Sequence, residues 1–293
     1  MHDRTVMICV GATKAGTSWL YDYLSSHPQV ALRAVKELHY FDALDLGQNW
    51  VKKHHRDDIA QAMTRLEGAE PGSPRAGRLA RRVRDTGEIL ALIERGEVDV
   101  EAYLAYLGAG AGDAKLVGDI TPAYALLPEE RLADLARMAR DVKIVFVMRD
   151  PLDRLWSHVR MNAARALPKG GDLAAAASAL LARVLGGKGA GITDRGDYPA
   201  IVAKLMRAVP AENLLLAFSE ELITPEGVAG LCDFLGLDAH PADTAKRVHE
   251  GARVKLDERQ KRQALEFLAP HYAFVKETFG ALPAKWQAND AGV

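Results

Sequence analysis

The sequence is poor in the features that mark membrane-spanning, disulfide-bonded and nucleic-acid-coating proteins. None of its apolar runs approaches the about 20 residues of a transmembrane helix, and residues 6–10 are too few for a signal-peptide core. Its two cysteines, Cys9 and Cys232, stand far apart, which argues against a disulfide framework. The 38 basic and 39 acidic residues leave a net charge of −1, whereas nucleic-acid-coating proteins are usually strongly basic. We therefore expect a cytoplasmic protein with no transmembrane segment and no nucleic-acid partner.

The pattern of apolar residues predicts an α/β fold. A length of 293 residues suits one large domain or two small ones, and we predict a single domain over residues 1–293. Residues 5–10, 142–148 and 214–218 are short apolar runs of the kind found in buried strands, and residues 115–119 form a weaker candidate. Predicted helices separate these strands. The alternation indicates a three-layer α/β/α architecture with a central, mostly parallel sheet.

Helices are predicted between and after these strands, at residues 17–26, 128–140, from 151 to about 185 with breaks, and 225–235. Two further helices are expected to close the chain between residues 257 and 279. The stretch from about 47 to 112 is less regular, and a Gly- and Pro-rich cluster at 68–74 divides it. We interpret this stretch as helices and loops inserted between sheet strands.

A glycine-containing loop at residues 11–18 joins the first predicted strand to the first predicted helix. Such a loop presents backbone N–H groups beside the positive end of a helix dipole, which together favour an anion. Its glycines are spaced as in a Walker A motif. Walker A, however, has a lysine directly after the second glycine, where this chain has Thr17, and the lysine stands at position 14. A tight strand-to-helix turn is the alternative, and Lys14 with the residues that follow it favours an anion site.

A second candidate site begins with Arg149, directly after the strongest predicted strand. Ser157 follows about two helical turns later. Ligands of open α/β sheets bind outside the carboxyl ends of the strands, and a guanidinium group there can hold a phosphate through two hydrogen bonds. The alternative is a structural ion pair of Arg149 with Asp150 or Asp153, and the residues alone leave both interpretations open.

These and other segments resemble the sulfotransferases that use 3′-phosphoadenosine-5′-phosphosulfate (PAPS), in particular the branch with the heparan sulfate enzymes and many bacterial relatives. The matching segments are residues 11–28, 36–41 (Lys-Glu-Leu-His-Tyr-Phe), 118–124 (Gly-Asp-Ile-Thr-Pro-Ala-Tyr), 145–157, 195–198 and 232–237. Two positions depart from the family pattern. Asp119 replaces the usual glutamate, and Ile120 stands where many relatives have lysine.

The resemblance implies a P-loop-NTPase-like fold and transfer of a sulfuryl group from PAPS to a hydroxyl or amine, with adenosine 3′,5′-bisphosphate as product and no metal. It implies that the 5′-phosphosulfate is held by Lys14, Ala15, Gly16, Thr17 and Ser18. It implies further that the 3′-phosphate is held by Arg149 and Ser157, with Tyr198, Gly251 and Arg253 completing the nucleotide site. Lys14 would stabilise the charge that develops on the leaving phosphate.

The acceptor must lose a proton, which requires a base. Glu37 matches the catalytic glutamate of the family, with a surface ion pair to Lys36 or an arginine as the alternative role. His39 is the competing candidate for the base. The adjacent His54 and His55 do not have metal-ligand spacing, and we expect them to form a solvated surface pair.

We expect the acceptor to be a small molecule or a glycan. An arginine-rich run at residues 75–84 either contacts an acidic glycan or forms a solvated helix face. Two other functions stay open. A P-loop kinase is disfavoured by the missing Gly-Lys-Ser/Thr and the lack of an evident Mg²⁺ carboxylate. A non-catalytic nucleotide- or glycan-binding module is disfavoured by the presence of both Lys14 and Glu37.

Overall fold

A five-stranded parallel sheet forms the centre of the computed structural model, which describes residues 4–245 and 254–290. The strand order is β2-β3-β1-β4-β5, with every neighbouring pair parallel. The strands are β1 (Thr5–Gly11), β2 (Val30–Leu32), β3 (Leu116–Ile120), β4 (Val142–Met148) and β5 (Leu214–Phe218). The predicted α/β class with a parallel sheet flanked by helices is confirmed.

Within the described ranges, helices separate all successive strands, with longer helical stretches between β2 and β3, between β4 and β5, and after β5. They are α1 (Thr17–Ser26), α2 (Tyr40–Asp45), α3 (Trp50–Glu67), α4 (Pro74–Glu94), α5 (Val100–Gly108), α6 (Glu129–Leu135), α7 (Pro151–Ala166), α8 (Leu173–Leu185), α9 (Ala190–Thr193), α10 (Tyr198–Ala208), α11 (Ser219–Leu222), α12 (Pro225–Leu235), α13 (Glu258–Phe279) and α14 (Ala284–Asp290). Short 3₁₀ turns lie at Pro122–Leu126, Asp194–Gly196 and Ala211–Asn213.

The central strands are apolar on both faces because helices cover both faces. Every residue of β3 is buried, and so are Val6 to Gly11 of β1. This is the pattern expected of a parallel sheet enclosed by its crossover helices. Gly118 allows β1 and β3 to approach closely, since a Cβ atom there would lie 2.4 Å from the backbone oxygen of Met7.

The predicted insertion consists of three helices. The Gly- and Pro-rich cluster at 68–74 separates α3 from α4, which begins at Pro74 with Ser73 as its N-cap. The two helices pack against each other, and α5 leads from them back to β3.

The end of the chain differs from the expectation of two helices within residues 257–279. One continuous helix, α13, runs through Pro270, and the final helix is α14. Buried side chains on one face of α13, Leu265, Leu268, Tyr272 and Val275, hold it against the core on both sides of the proline. Tertiary packing therefore outweighs the local helix-breaking tendency of Pro270.

Within the described ranges, no single helix has the length and hydropathy needed to cross a bilayer. The segments Leu173–Leu185 and Ala190–Gly196 meet that criterion only when joined, and a bend of 95° separates them.

Candidate functional site

The parallel order of the strands brings the candidate residues to one edge of the sheet. The loop with Lys14 follows β1, Glu37 follows β2, Thr121 follows β3 and Arg149 follows β4. Because parallel strands all end at the same edge, these segments lie side by side. Two contacts across strands show this: the His39 N–H reaches Thr121 Oγ1 at 3.4 Å, and Arg149 Nη1 lies 3.5 Å from the Lys14 backbone oxygen.

The backbone geometry explains why both loop positions, 11 and 16, are glycine. A Cβ atom at Gly11 would lie 2.7 Å from the ring of Phe146 on the neighbouring strand. Gly16 has φ 94°, a left-handed conformation that glycine adopts at little cost. Lys14 also has a left-handed backbone, with φ 72°, at the apex between them. The loop is therefore shaped around an open turn in which Lys14 is held in an unfavourable conformation for a side-chain-bearing residue.

The start of α1 is available to an anion. Gly16 occupies the N-cap position and supplies no side chain, and the described residues provide no other side-chain cap. The first N–H groups of a helix have no partner within the helix, and the helix dipole makes that end positive. Thr17 and Ser18 begin the helix at this point, so their N–H groups and hydroxyls lie at its positive end, which favours an anion.

The electrostatics of Lys14 also favour an anion. Burial lowers the pKa of Lys14, and the positive charges of Arg149 and Arg165 lower it further. Among the described residues, no carboxylate lies within ion-pair distance of its ammonium group. A multiply charged anion would relieve this crowding of like charges, and the residues fit a phosphate-containing group.

Positive charge extends along α7 beside this loop. His158 is buried, and its pKa falls to about 3 because of burial first and then the charges of Arg154 and Arg195, with smaller effects from Lys14 and Arg165. The imidazole is therefore neutral. Arg154 is itself buried, donates only a long 3.4 Å bond to the Ile192 oxygen, and leaves Nη1 without a partner within the described residues.

Arg149 combines a fixed backbone with an accessible side chain. Its N–H donates to the Tyr198 hydroxyl at 3.0 Å, and that hydroxyl donates to the Arg149 oxygen at 2.7 Å. Its guanidinium forms the surface ion pair with Asp153, at 3.0 Å, that the sequence left open. Side chains of both partners are exposed to solvent, by 33% and 58%. Such a pair is worth at most about 1 kcal/mol, so a phosphate can compete for the guanidinium.

The other predicted nucleotide residues have different placements. Ser157 is half-buried on α7, two turns beyond Arg149. Tyr198 is fully buried, and its hydroxyl is occupied by the Arg149 backbone, so the side chain supports Arg149 rather than offering a free group to a ligand. Gly251 and Arg253 lie outside the described residues.

Glu37 and His39 form a three-membered polar cluster with Asp42. His39 Nδ1 lies 2.8 Å from Asp42 Oδ2, and His39 Nε2 lies 3.3 Å from Glu37 Oε2. Lys36 Nζ lies 3.0 Å from the other oxygen of Glu37. Asp42 is fully buried, while the side chain of Glu37 is 39% exposed. Glu37 and His39 have φ of 67° and 53°, so the backbone is held in a left-handed conformation to present this cluster.

The cluster fixes the charge state of both candidate bases. Burial alone would lower the pKa of His39, but hydrogen bonds to Asp42 and Glu37 outweigh it and raise the pKa to about 9. Burial alone would raise the pKa of Glu37, but His39 and Lys36 outweigh it and hold the pKa below its usual range. At neutral pH His39 is therefore an imidazolium between two carboxylates, and Glu37 is ionised.

The segment at 118–124 packs against this cluster and binds its backbone through Thr121 and Tyr124. Asp119 is buried and accepts hydrogen bonds from Tyr103 at 2.9 Å and Thr121 at 2.7 Å, while Thr121 in turn faces the His39 N–H. Burial raises the pKa of Asp119, against the lowering effect of these bonds. The Tyr124 hydroxyl accepts from the Tyr40 N–H at 3.0 Å. The carboxylate of Asp119 is thus engaged in hydrogen bonds that hold this segment together, and it is not free to contact a ligand.

The prediction that His54 and His55 both lie at the surface is wrong for His55. His54 is exposed, but His55 is buried and its Nε2 lies 3.0 Å from the Leu38 oxygen. Burial lowers its pKa to about 4. His55 therefore braces the segment that carries Glu37. Across residues 4–245 and 254–290, no group of three or more His, Cys, Asp or Glu side chains has an arrangement able to hold a metal ion.

One comparison with known proteins identifies a family for this chain. Residues 7–241 match the sequence model of a family described as the sulfotransferase family. The crystal structure of a sulfotransferase from Alicyclobacillus acidocaldarius superposes with a TM-score of 0.64 at 21% identity, covering 97% of this chain and 99% of that one. A sulfotransferase domain from the curacin biosynthetic pathway gives 0.49 at 14% identity, over 89% and 82% of the two chains. Curated protein sequences include no significant match. At these identities the structural likeness concerns the fold alone.

Proposed function

The chain belongs to the sulfotransferase family, and from that premise we propose that it transfers a sulfuryl group from PAPS to a hydroxyl or amine of an acceptor. One observation carries the proposal. An open, cation-rich loop around Lys14 and an ionised Glu37 lie at the same edge of one parallel sheet. The first suits a phosphosulfate, and the second suits removal of a proton from an acceptor.

The donor is proposed to bind across the ends of β1 and β4. Lys14, Gly16, Thr17 and Ser18, with the buried Ala15 between them, hold the 5′-phosphosulfate through the helix N-terminus and the ammonium group. Arg149 and Ser157 hold the 3′-phosphate, with Tyr198 fixing the backbone of Arg149. When bound, the donor supplies the sulfuryl group and a phosphate as the leaving group.

In this proposal Glu37 acts on the acceptor, whose bond to sulfur forms, and Lys14 acts on the leaving phosphate, whose bond to sulfur breaks. Glu37 accepts the proton of the acceptor hydroxyl or amine as that atom bonds to sulfur. Lys14 stabilises the negative charge that develops on the phosphate oxygen as the sulfur–oxygen bond breaks. By analogy with phosphoryl transfer, most of the rate enhancement comes from positioning and charge stabilisation. No step in this scheme needs a metal ion.

Glu37 is a better candidate for the base than His39. Both ring nitrogens of His39 face carboxylates, so the imidazolium has no free lone pair with which to accept a proton. Its role is to hold Glu37 ionised and oriented. The same contact weakens Glu37 as a base, so proton transfer should occur late, when bonding to sulfur has made the acceptor proton acidic.

Trp50 is the proposed acceptor contact beside this cluster. Its indole packs edge-on against His39, with ring centres 4.8 Å apart, yet the residue is 48% exposed. An exposed aromatic ring beside the residue that orients the base suits the apolar face of a sugar or of a small apolar acceptor. This arrangement is compatible with both acceptor classes expected from the sequence.

The test is release of adenosine 3′,5′-bisphosphate from PAPS in the presence of an acceptor panel of sugars, amines and phenols. Glu37→Gln should lower turnover by about 10²- to 10⁴-fold while binding of the bisphosphate product is retained. Glu266→Gln, at an exposed position of α13, is the matched control and should keep full activity. If Glu37→Gln stays active and His39→Gln loses activity, His39 is the base. Turnover of ATP with Mg²⁺ in place of PAPS would favour a kinase instead.

A further inference from the structure

A cavity of about 790 Å³ lies away from the Lys14 loop, between α1, the edge strand β2 and the α3–α4 hairpin. Its lining contains seven arginines and two aspartates, which is a formal charge of +5 in a chain whose total is −1. The arginines are Arg33, Arg65, Arg75, Arg78, Arg81, Arg82 and Arg84, and the aspartates are Asp58 and Asp85. The lining of this cavity is therefore strongly positive, although the chain as a whole is close to neutral.

Both aspartates are already engaged. Arg82 binds Asp58 through two nitrogens at 2.7–3.1 Å. Asp85 is buried and receives Arg84 at 2.8 Å and Arg33 at 3.1 Å. No acidic residue of the lining is left to neutralise the remaining arginines.

Four arginines of the lining have no such partner. Arg65, Arg75, Arg78 and Arg81 are exposed, and none forms an ion pair with a carboxylate of the described residues. A solvated helix face usually intersperses both signs of charge, as α3 itself does with Lys53 and Asp57. Unpaired like charges that converge on one concave site repel each other, and a bound anion relieves that repulsion.

Apolar side chains also line the cavity. Val30, Leu32, Leu79 and Leu107 contribute to the lining, together with the ring of Tyr21. The volume falls within the about 300–1,000 Å³ of small-molecule sites. The cavity is thus large enough for a nucleotide or a disaccharide, and both apolar and cationic side chains line it.

We propose that this arginine-lined cavity binds a ligand that carries two or more phosphate or sulfate groups, at a site separate from the Lys14 loop. The cavity borders the backbone that leads to Glu37. The Ala34 N–H donates to Asp85 Oδ2 at 2.8 Å, and Glu37 follows three residues later. A ligand in the cavity therefore lies beside the segment that presents the candidate base, whether or not the chain transfers sulfuryl groups.

The experiment is calorimetric titration of the full chain with two probes, inorganic tripolyphosphate and a trisulfated heparin disaccharide. We expect at least one probe to bind, and the preferred probe identifies a phosphorylated or a sulfated ligand. Arg78→Gln combined with Arg81→Gln should weaken that binding by about tenfold or more, because charge-assisted hydrogen bonds to both guanidinium groups are lost. The single variant Arg65→Gln, on α3, tests the same cavity in case the double variant on α4 does not fold.

The matched control removes two exposed arginines outside the lining, Arg56→Gln with Arg137→Gln, and should leave probe binding unchanged. Lys14→Ala should also retain probe binding, which separates this site from the proposed donor site. The proposal is overturned if neither probe binds, if the control lowers affinity as much as the cavity variant, or if only Lys14→Ala abolishes binding. Adenosine 3′,5′-bisphosphate affinity, measured in parallel, reports on the donor site independently.

Discussion

Raising the pH from 6.5 to 9 should remove much of the stability that the Glu37–His39–Asp42 cluster contributes. Hydrogen bonds to Asp42 and Glu37 outweigh the effect of burial and raise the pKa of His39 from 6.5 to about 9. In the unfolded chain His39 loses its proton near 6.5, whereas the folded chain keeps it until about 9. The folded state then binds more protons, so the free energy of unfolding falls with pH across this window. At about 1.4 kcal/mol per pH unit, the loss is about 3 kcal/mol.

The assay is urea unfolding at pH 6, 7.5 and 9, followed by circular dichroism, for wild type, His39→Gln and Asp42→Asn. Other groups titrate in this range, so the informative quantity is the difference in pH dependence between wild type and His39→Gln. Wild type should lose about 3 kcal/mol more than the variant, and Asp42→Asn should flatten the dependence in part. Equal pH dependence in wild type and His39→Gln would refute the reasoning, because His39 would then not hold an extra proton in the folded state.

Two further predictions concern packing and the donor site. Gly118→Ala should lower the free energy of unfolding by about 2 kcal/mol or more in urea melts, since its Cβ would meet the Met7 backbone at 2.4 Å. Gly77→Ala, in α4 with open space around it, should instead raise stability by about 0.5–1 kcal/mol, and an equal loss in both would contradict the steric account. Tyr198→Phe should weaken binding of adenosine 3′,5′-bisphosphate by about five- to tenfold, because the Arg149 backbone loses two hydrogen bonds. Affinity for the 5′-monophosphate should not change, and a parallel loss for both nucleotides would make Tyr198 merely structural.

Much of the sheet could be predicted because its strands are apolar on both faces. Residues 142–148 and 214–218 coincide with β4 and β5, and β1 extends only one residue beyond the prediction. The three-residue strand β2 could not be predicted, since three residues show no periodicity and the strand exists only by pairing with β3. The helix predicted over residues 128–140 is shorter in the structure, where α6 ends at Leu135.

The shape of the loop around Lys14 was predictable because it is set by residues adjacent in sequence, while its role as an anion site stays a prediction. The glycines, Lys14 and the helix start are adjacent in sequence, and the backbone conformations follow from them. The Glu37 cluster was only half predictable. Glu37 and His39 stood out by resemblance, but Asp42 had no signal of its own, because its contact with His39 depends on the left-handed turn before α2.

Burial and long-range partners account for the remaining differences. His55 was expected at the surface, yet it faces the Leu38 oxygen because α3 packs against the segment after β2. The part of Tyr198 in the nucleotide site stays a prediction, but its pairing with the Arg149 backbone could not be predicted, because it connects residues 49 positions apart. The arginine run at 75–84 fitted two interpretations, and its place in the lining of a cavity depends on the contacts of α4 with the segment after β2.

The central claim is tested most directly by calorimetric titration with adenosine 3′,5′-bisphosphate in the absence of metal, beside the 5′-monophosphate and ATP. We predict a clear preference for the bisphosphate, which Arg149→Ala removes while binding of the 5′-monophosphate survives. Arg207→Ala, at an exposed arginine paired with Glu129, is the control and should bind as wild type does. No binding of the bisphosphate, or a preference for ATP that requires Mg²⁺, would contradict the proposed donor and with it the proposed reaction.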